Sequence, residues 1–141
     1  MKRKASAVWN GTLKEGKGTL TTGSGALKAH PYSFGARFEE GKPGANPEEL
    51  IAAAEAGCFT MALSGELSKA GHTPERLSTE ATAELKQDGG QWSIASIHLV
   101  TRGRVPGVDQ AEFQKLAEAT KTSCIVSRAL NVDFTLDAKL E

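Results

Sequence analysis

Aromatic residues are scarce in this chain of 141 residues: two Trp, one Tyr and five Phe. That is too few for the stacking platforms of a single-stranded nucleic-acid binder. No charge of one sign dominates, because 17 Lys and Arg stand against 17 Asp and Glu. The basic footprint of a duplex binder is therefore missing. No stretch reaches the roughly 18 consecutive apolar residues of a membrane span. Met1-Lys2-Arg3-Lys4-Ala5-Ser6 is basic but lacks the apolar run of a secretory signal. Histidine is limited to His30, His72 and His98, without ligand spacing, which argues against a metal site. There is no Ser-His-acid signature and no glycine-rich phosphate loop. These absences set the expectation of a soluble, cytoplasmic protein without nucleic-acid, membrane or metal partners.

Cysteine is scarce as well, and here the scarcity is informative. Only Cys58 and Cys124 occur, and in a reducing compartment two cysteines serve catalysis or sensing, or lie inert, more often than they staple a fold. The length predicts one domain over residues 1–141. A chain of this size buries roughly 68–70% of its unfolded surface, enough for a true core.

The pattern predicts an α+β protein. Ala5-Ser6-Ala7-Val8-Trp9 alternates, and Asn10-Gly11 reads as a two-residue hairpin turn into a second strand over Gly16–Thr21. Ser33–Phe38 reads as a third strand, closed by Arg37, before the loop Glu40–Ala45. A long helix is expected from about Pro47 to Ala70, with Asn46 as N-cap, Glu49 at the capping-box position and Gly71 as the stop. Between Leu50 and Leu63 only Glu55, Gly57 and Thr60 interrupt its apolar residues, so the helix is expected to be buried nearly all round. Glu55 is expected to point outward or into an interface. Strands follow over Thr79–Leu85 and Trp92–Val100 about an Asp88-Gly89-Gly90 turn, then a helix over Gln110–Thr122 capped by Asp109 and a last strand over Val132–Leu140. The order βββ-α-ββ-α-β packs helices on antiparallel sheet.

A lone cysteine on an apolar helix is ordinarily a small hydrophobe. The second thiol changes the weighing for Cys58. Ser123-Cys124-Ile125-Val126-Ser127-Arg128 reads as the start of a short helical turn with Ser123 as N-cap, and a helix N-terminus favours thiolate. The two cysteines are 66 positions apart, so only the fold can bring them within disulfide reach. Arg37 and Glu48 form a second candidate pair. Glu49 occupies the capping position, which leaves Glu48 free to hold Arg37 in a bidentate fork. An arginine stays charged beside a thiol and favours its thiolate. Glu48 and Cys58 are ten residues apart on the predicted helix, about 15 Å of rise and about 80° of rotation. A site using both therefore needs two subunits or a bend at Gly57.

Taken together, Arg37-Phe38-Glu39, Asn46-Pro47-Glu48-Glu49-Leu50, Ala56-Gly57-Cys58-Phe59 and Ser123-Cys124 with Val126-Ser127 resemble the OsmC/Ohr family of osmotically inducible and organic-hydroperoxide-resistance proteins. The resemblance runs from Trp9 to Leu136 and is nearest the OsmC branch. It implies a peroxiredoxin-like enzyme that reduces organic hydroperoxides and, less well, hydrogen peroxide, in defence against oxidative and osmotic stress. It also implies an intertwined homodimer in which antiparallel sheets wrap long buried central helices, with the sites at the interface. By motif match Cys58 is the peroxidatic thiol, Cys124 the resolving thiol, Arg37 the activating cation and Glu48 its orienting carboxylate. No cofactor or metal is implied; the reductant is an external dithiol, typically a lipoylated protein. One departure is Ile125, where many relatives have proline. The rival readings are a non-enzymatic module binding small apolar ligands at a dimer interface, and a redox sensor.

Overall fold

A computed structural model describes residues 1–141. It divides into two compact units, Met1–Leu50 and Ile51–Glu141.

The first unit holds a three-stranded antiparallel sheet in the order β1-β2-β3, with β1 Ala5–Asn10, β2 Lys17–Thr22 and β3 His30–Ser33. The β1–β2 connection is longer than the expected two-residue turn, because Asn10 pairs with Lys17. Residues 11–16 wrap on themselves instead: Gly16 N donates to Thr12 O at 2.8 Å and Trp9 Nε1 donates to the same carbonyl at 3.2 Å. Gly18 sits between Trp9 and Tyr32 in the register of the three strands. With no side chain in the way, those two rings approach to 5.2 Å between centroids.

The third expected strand is also corrected. Strand pairing stops at Ser33, and Phe34–Phe38 forms a short helix, α1. Two local interactions explain the switch. Ser33 Oγ caps the helix by accepting from Ala36 N at 3.1 Å, and Phe34 meets Phe38 one turn on at 5.0 Å. Arg37 thus rides on a helix rather than at a strand end.

Helix α2, Pro47–Lys69, is the longest element. Asn46 Oδ1 accepts from Glu49 N at 2.7 Å, as an N-cap should. At the other end Gly71 has φ +89°, while His72 N donates to Leu67 O at 2.9 Å and Gly71 N to Ser68 O at 3.1 Å. Those two bonds are the Schellman closure that a left-handed glycine permits. The helix is not buried all round within one chain. Glu55, Phe59, Leu63 and Leu67, spaced by four, are fully buried, whereas Met61 on another face is 78% exposed.

In the second unit, β4 (Arg76–Asp88) and β5 (Gln91–Arg104) pair antiparallel around the expected two-residue turn, where Gly89 and Gly90 have φ +55° and +83°. This is the left-handed pair that a type I′ hairpin requires. Helices α3 (Gln110–Ser123) and α4 (Ile125–Ala129) then carry the chain over to β6 (Asp133–Leu140), which pairs parallel with β5. The sheet is therefore mixed rather than wholly antiparallel, because a helical crossover returns the chain in the same direction. Gln110 satisfies the outer edge of β6: its Nε2 donates to Ala138 O at 2.8 Å and its Oε1 accepts from Leu140 N at 2.9 Å. The core gathers Phe59, Leu63 and Leu67 from α2, Ile97 and Leu99 from β5, Phe113 and Ala117 from α3, and Cys124. Phe113 lies over Gly103, where any side chain would collide with its ring.

Candidate active site

Both cysteines are free thiols of the second unit. Cys58 is half-buried on α2, and Cys124 is fully buried between α3 and α4. Despite their separation in sequence, the fold packs them into one hydrophobic core, near enough for the Cys58 thiol to help raise that of Cys124. The cap differs from expectation. Ser123 ends α3, its Oγ donating to Thr120 O at 3.3 Å, and Cys124 is itself the N-cap of α4, without a side-chain capping bond. The α4 N-terminus does not make Cys124 acidic. Burial pushes its thiol above the ordinary value, the neighbouring Cys58 thiol and the charge of Glu55 push the same way, and only Ser127 opposes them.

Glu55 is the residue the sequence reading misplaces. It is fully buried rather than outward-pointing. Its Oε1 accepts from Ser127 Oγ at 2.6 Å and from Cys124 Sγ at 3.8 Å, and its Oε2 has no hydrogen-bond partner. The sequence does hold a signal for it: Glu55 is the polar member of the buried four-residue stripe continued by Phe59, Leu63 and Leu67.

In the first unit, Arg37 and Glu48 meet as expected. Arg37 Nε and Nη2 both donate to Glu48 Oε1, at 3.0 and 2.7 Å. The contact is two bonds on one oxygen rather than a fork across two, and Glu48 Oε2 is buried without a partner. Glu48 is only 7% exposed, whereas Glu49 beside it faces solvent. The guanidinium also lies 5.0 Å from the Phe38 ring centroid, in cation–π range. A hollow of about 220 Å³ opens here, lined by Trp9, Leu13, Tyr32, Phe34, Phe38 and Arg37. Its character is apolar wall with a single cation.

Two of the three histidines are engaged elsewhere, His72 with Glu112 at 3.3 Å and His98 with Thr135 at 2.6 Å. No group of three or more His, Cys, Asp and Glu side chains converges as a metal site.

Comparison with known proteins agrees with the motifs. The OsmC family, described as OsmC-like protein, matches residues 39–137. Peroxiredoxin OsmC of Escherichia coli (strain K12) is 44% identical over 139 residues, covering 99% of this chain and 96% of that protein. The organic hydroperoxide resistance protein of Xanthomonas axonopodis pv. citri (strain 306) is 33% identical over 99 residues, covering 68% of each. Among solved structures, the organic hydroperoxide resistance protein OhrB of Bacillus subtilis superimposes with a TM-score of 0.75 at 27% identity, covering 96% of this chain and 98% of that one.

Proposed function

The chain belongs to the OsmC family, and on that footing we propose that it is a cysteine-based peroxidase that reduces organic hydroperoxides. The observation that carries this reading is that two free thiols 66 positions apart in sequence, Cys58 and Cys124, pack into one core, where the Cys58 thiol helps to raise that of Cys124. The half-buried Cys58 is the peroxidatic thiol. Its thiolate attacks the distal oxygen of ROOH, the O–O bond breaks, and the alkoxide leaves and takes up a proton as ROH. Cys58 is left as a sulfenic acid. Cys124 then attacks the Cys58 sulfur, displacing hydroxide, which leaves as water once it gains the thiol proton. An external dithiol, on family likeness a lipoylated protein, reduces the resulting disulfide by exchange. The chemistry calls for no metal or prosthetic group, and the reducing cytoplasm is the compartment that suits it.

Arg37, oriented by Glu48, favours the thiolate and stabilises the departing alkoxide. The aromatic hollow at Arg37 supports an organic R group on the substrate in preference to hydrogen peroxide.

The functional unit is a homodimer. Within one chain only 22% of an apolar 18-residue stretch of α2 is buried. Its exposed face carries Ala53, Gly57, Met61 and Gly65 at intervals of four; three of the four are small enough for a second helix to approach closely, and Met61 is an exposed apolar side chain for it to cover. Glu48 and Cys58 are ten residues apart on α2, about 15 Å of rise, so Arg37 serves the Cys58 of the partner. Mixing Cys58→Ser subunits with Arg37→Ala subunits tests this. Each parent dimer is expected to be inactive or slowed about 100-fold, and the heterodimer is expected to recover one working site of two. If a proven heterodimer recovers nothing, Arg37 and Cys58 act within one chain. If Cys58→Ser retains multiple turnover with a dithiol, the peroxidase assignment itself fails.

A further inference from the structure

Glu55 has no part in the chemistry described so far, yet it is a carboxyl group placed with no exposure in the core, in contact with one of the two reacting sulfurs. Burying a charge with one oxygen unpartnered is costly, so its persistence needs a reason. The 2.6 Å bond from Ser127 Oγ to Oε1 falls in the range of a hydroxyl donating to an ionised carboxylate. The same Oε1 receives the Cys124 thiol. A thiol can donate there, whereas a thiolate would face the carboxylate as a second negative charge in a dry site. We propose that Glu55 holds the proton of Cys124 and thereby reserves peroxide for Cys58.

While the enzyme is reduced, Glu55 keeps Cys124 as S–H, and a thiol is a poor nucleophile. When Cys58 has become a sulfenic acid, the Cys124 sulfur attacks it and the Cys58 S–O bond breaks. The Cys124 proton passes to Glu55 Oε1 and from there to the departing hydroxide, giving water and the disulfide. Glu55 ends as it began. The use of the device rests on the peroxidase reading, but its presence does not, so the two can fail separately.

The titratable groups facing Cys124 are Glu55 and Cys58, both from α2, and Ser127 faces it from α4. Burial, Cys58 and Glu55 all push the thiol upward, and Ser127 pulls it down. The test uses the Cys58→Ser protein, whose single remaining thiol is Cys124, and follows thiolate absorbance near 240 nm against pH without any need for reagent access. Adding Glu55→Gln, which keeps the size and removes the charge, is expected to lower the midpoint. Adding Ser127→Ala instead is expected to raise it. A merely structural role, in which either change loosens the site and admits water, would lower both midpoints. The proposal is overturned if Glu55→Gln leaves the midpoint in place or raises it, or if Ser127→Ala lowers it. Should Glu55→Gln not fold, Glu55→Met in the same titration decides, with the same downward shift expected and an unchanged or raised midpoint overturning the proposal. Multiple turnover surviving in Cys58→Ser would instead sink the peroxidase reading and leave these shifts standing.

Discussion

Breaking the Arg37–Glu48 pair from its two ends should give unequal results. Glu48 is 7% exposed, and its Oε1 takes both arginine bonds, at 3.0 and 2.7 Å, while Oε2 has no partner. Arg37→Ala therefore strips a buried carboxylate of its counter-charge. Breaking a fully buried pair from one side costs about 3–5 kcal/mol, but the Arg37 side chain is 44% exposed, so water enters where it leaves. The cost should fall to about 1.5–3 kcal/mol, the scale of a charged hydrogen bond left unmade. For a domain of this length that lowers Tm by roughly 5–15 °C. Glu48→Gln is milder: an amide oxygen still accepts from the arginine, and the exposed guanidinium rehydrates, which puts the loss at about 0–1 kcal/mol. Peroxide attack should follow the same order, slowed strongly by Arg37→Ala and weakly by Glu48→Gln. The solvent-facing Glu49→Gln is the control and should change neither rate nor hydroperoxide preference. Urea melts at one fixed protein concentration, alongside single-turnover oxidation of Cys58, measure both effects. Should Glu48→Gln destabilise as much as Arg37→Ala, or Glu49→Gln slow oxidation as much as Glu48→Gln, the burial argument is wrong.

Two further outcomes rest on the second unit. Because the folded Cys124 thiol lies above its unfolded value, its contribution to stability is complete below the ordinary thiol range and is lost as pH rises through the folded value. Across that window the reduced protein should lose stability more steeply than Cys124→Ser, by up to about 1.4 kcal/mol per pH unit; parallel curves in urea melts would contradict the shift. Phe59→Ala removes a fully buried ring from the core beside Cys58 and should cost about 3–5 kcal/mol by the same melts, whereas the exposed Met61→Ala should cost far less in a dissociated monomer.

The parts of this molecule that were legible in its sequence are those set by local chemistry. Asn46-Pro47 fixes the start of α2 and Gly71 its end because a cap and a left-handed residue act within one turn. Gly89-Gly90 fixes the β4–β5 turn for the same reason. The misreadings are equally physical. Ser33–Phe38 has a strand-like composition, but a serine cap and a Phe34–Phe38 contact one turn apart tip it into helix. Asn10-Gly11 carries hairpin residues, yet the carbonyl of Thr12 gathers two donors and holds a longer loop. The direction of β6 depends on a crossover that no local pattern encodes.

Glu55 is the sharpest case. Read one residue at a time, a glutamate in a helix belongs to solvent, since ionised side chains are almost never fully buried unless paired. Read at the helical period, it continues the row of Phe59, Leu63 and Leu67, and a row of that kind faces the core whatever its members are. Its partners Cys124 and Ser127 lie 69 and 72 positions away, so their identity was beyond reach. Its burial was not. A charged residue that interrupts an otherwise apolar core stripe beside a reactive cysteine is placed where desolvation makes its charge count most, and for that reason the position should be weighed as chemistry before it is dismissed as surface.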